Sequence, residues 1–174
     1  MKILLIGPQG SGKSTQADLL AEFLNLPKIA LGDIFRKLSQ EDSPEGQRIR
    51  NIVGQGHLVD DQTAAEVVKK RLSEEDCQNG FVMDGYPRTV EQQQIFDPGF
   101  DKVIYLDVPE EEVIKRLLNR GRADDTYELI KRRLDLYYKQ TAALLDHYRK
   151  SGKLVEIKGL GDIEKVQDEI KKSI

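Results

Sequence analysis

Residues 2–15 read KILLIGPQGSGKST, and no other stretch limits the fold as strongly. Ile3 to Ile6 form an apolar run short enough for a buried strand, and Gly7-Pro8 ends it. Residues 7–14 then fit G-x-x-x-x-G-K-[ST], and a helical pattern of Ala17, Leu20, Ala21 and Leu24 follows. Each part of that spacing has a physical reason. Gly7, Gly10 and Gly12 let the loop curl so that successive backbone N–H groups converge on phosphate oxygens. A helix starting near Gly12 aims its positive end at the same point. Lys13 has the reach for β- and γ-phosphates, and the Ser14 hydroxyl suits Mg²⁺. An ordinary glycine-rich turn is the plain alternative, but the strand before it and the helix after it favour a nucleotide-phosphate site.

Strand and helix patterns alternate along the rest of the chain, which predicts an α/β fold with a parallel sheet covered by helices. Strands are expected at 2–6, 27–31, 81–84, 102–107 and 153–157. Helices are expected over 13–24, from Asp33, from Ser43-Pro44 towards Val53, and from an Asp60 or Asp61 cap through Leu72. Further helices are expected over 89–96, from Pro109 to Arg120-Gly121, from Asp124 or Asp125 to Gly152, and from Asp162. Asp125 with Glu128 makes a capping-box-like pair, and Tyr127, Ile130, Leu134, Tyr138, Thr141, Leu145 and Tyr148 space out one apolar face. The 174 residues suit one domain without repeats or linkers, with 32–60 as a helical excursion. A net charge of −3 supplies no basic field for nucleic acid or an anionic membrane. The single cysteine, Cys77, excludes an internal disulfide and a Cys-based zinc site. No apolar run has the length of a membrane span, and a strand from residue 2 leaves no room for a leader, so a cytoplasmic protein is expected.

Asp84 closes an apolar strand, where a carboxylate beside the phosphate loop would hold Mg²⁺ directly or through water. Asp84-Gly85-Tyr86-Pro87-Arg88 sets a carboxylate, a glycine and a guanidinium at the carboxyl end of that strand, the edge where α/β sheets bind ligands. Arg36, Arg88, Arg116, Arg120, Arg122 and Arg133 fall in turns or on helix faces near that edge. Singly, each reads as a solvated surface charge; together they suit a site that gathers two polyanions. Two like unit charges about 4 Å apart repel by roughly 4 kcal/mol at an effective dielectric near 20. A phosphate acceptor is already an anionic nucleophile and needs positioning and neutralisation rather than a base. No carboxylate in the chain must serve as a base, which favours phosphoryl transfer to a phosphate. His57 and His147 are not needed for it.

GPQGSGKSTQ, LGDIFR, GHLVDD, FVMDGYPRTVEQ and RLLNRGRADD…RR together resemble the adenylate kinase family of nucleoside monophosphate kinases. The resemblance runs in register over nearly the whole chain. It implies a P-loop NTPase-type five-stranded parallel core over 1–30 and 61–174, a monophosphate-binding arm over about 31–60, and a lid cut down to about 120–123. It also implies Mg²⁺ with ATP as the phosphoryl donor, and AMP as acceptor, giving ADP. Carried over by motif, residues 7–15, with Ser11, Ser14 and Thr15 among them, would hold ATP phosphates, and Arg116 would lie against the ATP base. Lys13, Arg88, Arg120, Arg122 and Arg133 would serve the transferring phosphoryl and the acceptor phosphate. Arg36, the Leu58-Val59 backbone, Gly85, Arg88 and Gln92 would hold AMP.

Three departures from the family pattern carry weight. Leu31 stands where adenylate-type members usually have Thr against the acceptor base, so one polar contact is missing and UMP, CMP or a deoxynucleotide stays open as acceptor. Gln92 is the amide that AMP-selective members carry. Ser14 stands where the family generally has Gly, and only Gly121 separates the two arginines that normally flank a lid. Either the arm does most of the closing in a monomer, or a neighbouring subunit of a homo-oligomer covers the nucleotide.

Overall fold

A computed structural model describes residues 1–54, 59–120 and 126–174. Among these, strands β1 (Lys2–Ile6), β2 (Lys28–Ala30), β3 (Phe81–Asp84), β4 (Lys102–Asp107) and β5 (Leu154–Lys158) form one sheet in the order β2-β3-β1-β4-β5. Every pairing is parallel, with Leu5 beside Asp84 and Ile6 beside Tyr105. Eight α-helices are described: α1 (Lys13–Leu24), α2 (Leu31–Leu38), α3 (Pro44–Gly54), α4 (Asp61–Leu72), α5 (Val90–Ile95), α6 (Glu110–Arg120), α7 (Tyr127–Lys150) and α8 (Ile163–Lys172). The α/β architecture expected from the alternating pattern is the one the chain adopts.

The sheet is buried on both faces, so its central strands read as continuous apolar runs. Side chains still alternate. Leu4, Ile6, Phe81, Met83 and Val103 pack on one face with α4 residues Ala64, Val67 and Val68 and with Leu144 and Tyr148 of α7. Ile3, Leu5, Val82, Ile104 and Leu106 pack on the other with Ala17 and Leu20 of α1 and Val166 and Ile170 of α8. A third cluster, Val113, Leu117, Ile130 and Leu134, joins α6 to α7 beside the loop after β1.

Several boundaries differ from the sequence expectation. α2 begins at Leu31, two residues before the expected Asp33, because the Leu31 side chain is itself buried in the core. α6 begins at Glu110, and Pro109 precedes it, its carbonyl accepting the Val113 N–H. The cap of α7 is Thr126, whose side chain accepts the Leu129 N–H, rather than an aspartate; Asp124 and Asp125 lie outside the described residues. Tyr127 is 53% exposed instead of joining the apolar stripe, where Leu144 is buried. A 3₁₀ turn at Glu75–Cys77 had no sequence signal. Asp60 caps α4, accepting the Thr63 N–H at 2.9 Å and the Thr63 hydroxyl at 2.8 Å, and these bonds hold its carboxyl below the ordinary range. That cap presents Asp61 as the first helical residue.

Candidate active site

The carboxyl end of the sheet gathers the chemistry. β1 feeds the loop that ends at Gly12, whose φ of 88° sets the left-handed turn into α1. In the first turn of α1, the Ser14 hydroxyl donates to Asp84 Oδ2 at 2.5 Å. The parallel register that sets Leu5 beside Asp84 brings the two together. A hydroxyl and a carboxylate oxygen side by side, next to a phosphate loop, are the hard-oxygen donors Mg²⁺ takes when phosphates and water supply its other ligands. Among the described residues no group of three or more His, Cys, Asp or Glu could hold a metal without such help. The residues therefore fit a magnesium ion carried by a nucleotide.

Lys13 is half-buried, with Nζ donating to the Pro8 carbonyl at 3.4 Å. Lost hydration pushes its pKa below the ordinary 10.5; Asp84 opposes that, while Arg88 and Arg120 reinforce it. Arg88 Nε donates to the Gly85 carbonyl at 3.0 Å, and Gly85 takes a φ of 94° at the turn that aims that carbonyl. The Arg88 side chain reaches the cleft surface, yet the protein packed around it lowers its pKa through lost hydration, with Asp84 pulling the other way. Lys13 and Arg88 thus share the Asp84 carboxylate, with Arg120 a further cation acting on Lys13. Such a cluster is poised for polyanions, because bound phosphates would relieve its mutual repulsion. A cavity of about 200 Å³ opens here, lined by Gly7, Gln9, Lys13, Gly85, Arg88 and Arg133 and floored by Leu117, Ile130 and Leu134.

The structure brings most of the expected residues to this edge. Gly7, Lys13, Gly85, Arg88 and Arg133 line one cavity, and Ser14 and Asp84 meet beside it. Arg120 ends α6 close enough to Lys13 to affect its charge. Gly10 packs tightly against Leu117 of α6, Ser11 is buried, and Thr15 is exposed on α1. Val59 is half-buried just before the α4 cap. Two more of the expected residues have partners of their own in this structure. Arg36 pairs with Asp33 on the exposed side of α2, outside the lining of this cavity. The Gln92 Oε1 accepts the Arg88 backbone N–H and its Nε2 donates to Asp61, each at 2.8 Å. Leu58, Arg122 and the lid position Gly121 lie outside the described residues, as does His57.

Partners of the expected residues also shape the site, and Glu112, Gly159 and Asp61 were not singled out for it from sequence. Gln9 Oε1 accepts from Arg133 at 3.4 Å. Arg116 is spread between Glu112, at 2.8 Å, the Gly159 carbonyl, at 3.2 Å, and the Ser11 carbonyl, at 3.5 Å. Asp61 holds Gln92. Only the Glu112–Arg116 pair carried a readable signal, its four-residue spacing on a helix.

Comparison with known proteins agrees with this geometry. The family model described as adenylate kinase matches residues 5–153. An adenylate kinase of Leptospira biflexa is 41% identical over 184 aligned residues, covering 99% of each chain. An adenylate kinase 1 of Nostoc is 39% identical over 99% of this chain and 98% of its own. An adenylate kinase of Bifidobacterium longum is 43% identical over 98% of this chain and 97% of its own. With the loop of residues 7–14 on a five-stranded parallel sheet, a cation cluster at its carboxyl edge and likeness of this extent, the chain belongs to the adenylate kinase family.

Proposed function

We propose that this protein is an adenylate kinase: it transfers the ATP γ-phosphoryl in line to AMP and yields two ADP. The observation that carries the reading is the meeting of Lys13, Arg88 and Arg133 in one cavity beside the Ser14–Asp84 pair. A phosphate oxygen of AMP forms the new bond to the γ-phosphorus while the bond from γ-phosphorus to the bridging oxygen of ADP breaks. Both nucleophile and leaving group are anionic, so positioned cations supply what the reaction needs. The backbone N–H groups of residues 7–15 hold the donor phosphates, and Lys13 follows charge towards the bridging oxygen. Arg116, fixed on the Ser11 and Gly159 carbonyls, flanks the donor base. Arg88, with Arg120, Arg122 and Arg133, draws the acceptor phosphate and the transferring group together. Bound with ATP, Mg²⁺ supplies charge neutralisation, and Ser14 and Asp84 would hold it, directly or through water. Arg36, Val59, Leu58, Gly85 and Gln92 receive AMP when the arm over about 31–60 closes.

The acceptor preference is testable in a coupled assay of ADP formation. The Gln92 amide favours adenine, whereas Leu31 offers the base no hydrogen bond, so kcat/KM for AMP should exceed that for UMP by about tenfold to a hundredfold. Comparable values for the two would overturn the choice of acceptor and favour a pyrimidine monophosphate kinase.

A homo-oligomer in the cytoplasm completes the proposal, with a neighbouring subunit covering the donor phosphates. The alignment to the Leptospira relative spans 184 residues against the 174 of this chain, in keeping with a shortened lid. Arginines at an open rim would be weakened by water and salt. Light scattering should report more than one subunit, and specific activity should fall on dilution. A strictly monomeric enzyme with activity flat under dilution would rule out the neighbouring cover.

A further inference from the structure

Gln92 sits in the first turns of α5, 7% exposed, with both ends of its amide engaged. Oε1 accepts the Arg88 backbone N–H, and Nε2 donates to Asp61 Oδ1. The two partners differ in kind: a backbone N–H only donates, and a carboxylate only accepts. Turning the amide over would set oxygen against the Asp61 carboxylate and N–H against the Arg88 N–H, losing both bonds. The amide is therefore held in one sense. An amide carries two N–H donors and two oxygen lone pairs. With one of each taken, a single donor and a single acceptor remain, in fixed order.

We infer that Asp61 is a specificity-determining positioning residue, locking the Gln92 amide in the sense that reads an amino group beside a ring-nitrogen acceptor and rejects a carbonyl beside a ring N–H. This rests on the reading of Gln92 as the contact to the acceptor base. Adenine presents its N6 amine beside N1 and satisfies the lock. Uracil and guanine present a carbonyl oxygen beside N–H, the reverse order, and would need the amide turned over. Cytosine shares adenine's order, so the lock separates AMP from UMP and GMP but not from CMP. Leu31 adds no hydrogen-bonding group, its side chain being buried in the core, which leaves the order of the Gln92 amide to discriminate. The ordinary alternative is that Asp61 is an acidic residue in the first turn of α4, serving only the helix.

Asp61→Asn is isosteric and leaves the Asp60 cap in place, and Asp61→Ser tests the same point with a smaller side chain. Both replacements either donate or accept, so the amide can turn at the cost of one partner rather than two. Steady-state kinetics with AMP, CMP, UMP and GMP are compared with the native protein and with Gln92→Leu. In both Asp61 variants the AMP:UMP and AMP:GMP ratios of kcat/KM should fall by about tenfold, mainly through KM. The AMP:CMP ratio should stay within about threefold, a pattern that loss of helix stability would not produce. If Gln92→Leu collapses the AMP:UMP ratio while both Asp61 variants leave it unchanged, the lock is wrong and the base contact stands. If Gln92→Leu leaves the ratio unchanged, the base contact is wrong and the lock falls with it.

Discussion

Lys13→Met should fold, melt at a higher temperature than the native chain without nucleotide, and turn over about 10²–10³-fold more slowly. The stability gain has a definite sign. Lys13 loses hydration in the fold, and its pKa lies below the ordinary 10.5. Below that folded value the ammonium is charged and costs stability; the cost is relieved as pH rises through the folded value towards 10.5. Methionine removes the charge, and with it the repulsion from Arg88 and Arg120, while keeping the unbranched chain. The turnover loss follows from the proposed role of Lys13 as the one cation of residues 7–14, neutralising charge that develops on the bridging oxygen. Differential scanning fluorimetry with and without ATP, beside the ADP assay, reads both effects. A variant that melts lower than the native chain, or keeps near-normal turnover, would overturn the assignment.

The second large effect is expected at Arg88. Arg88→Ala should lower kcat by about 10²–10³-fold and raise KM for AMP, given its proposed role on both the acceptor phosphate and the transferring group. Arg88→Lys should recover less than about a tenth of the lost rate. It restores the charge, but not the planar fork that one bond to the Gly85 carbonyl holds in register. The double variant Lys13→Met/Arg88→Ala should cost less than the product of the single losses. In the proposed mechanism the two cations act on one developing charge, and each also acts on the other in the free protein, so their losses are coupled. Full recovery with lysine would show that Arg88 acts only through bulk charge, and strict multiplicativity would show that the two cations act independently.

The phosphate loop was legible because all its parts are contiguous: strand, glycines, lysine and helix follow one another, and their spacing is itself the geometry. The parallel sheet was legible for a related reason. Strands buried on both faces read as short apolar runs, and helices between them leave parallel connection as the short route. Helix ends were less so, because local candidates compete: Asp125 and Thr126 both suit a cap, and the side chain of Thr126 is the one that reaches the Leu129 N–H. Leu31 began its helix early because burial outweighed the weaker local preference. The pairings that make the site were set through space. Ser14 meets Asp84 across 70 residues and Gln9 meets Arg133 across 124, and no local pattern carries separations of that size. They follow from the strand order, which sets β1 between β3 and β4. Sequence alone determined that this chain holds a nucleotide's phosphates on a parallel α/β sheet. The tertiary structure decided which cations share Asp84, and that the Gln92 amide is held between Arg88 and Asp61, because side-chain partners are chosen by distance in the folded chain.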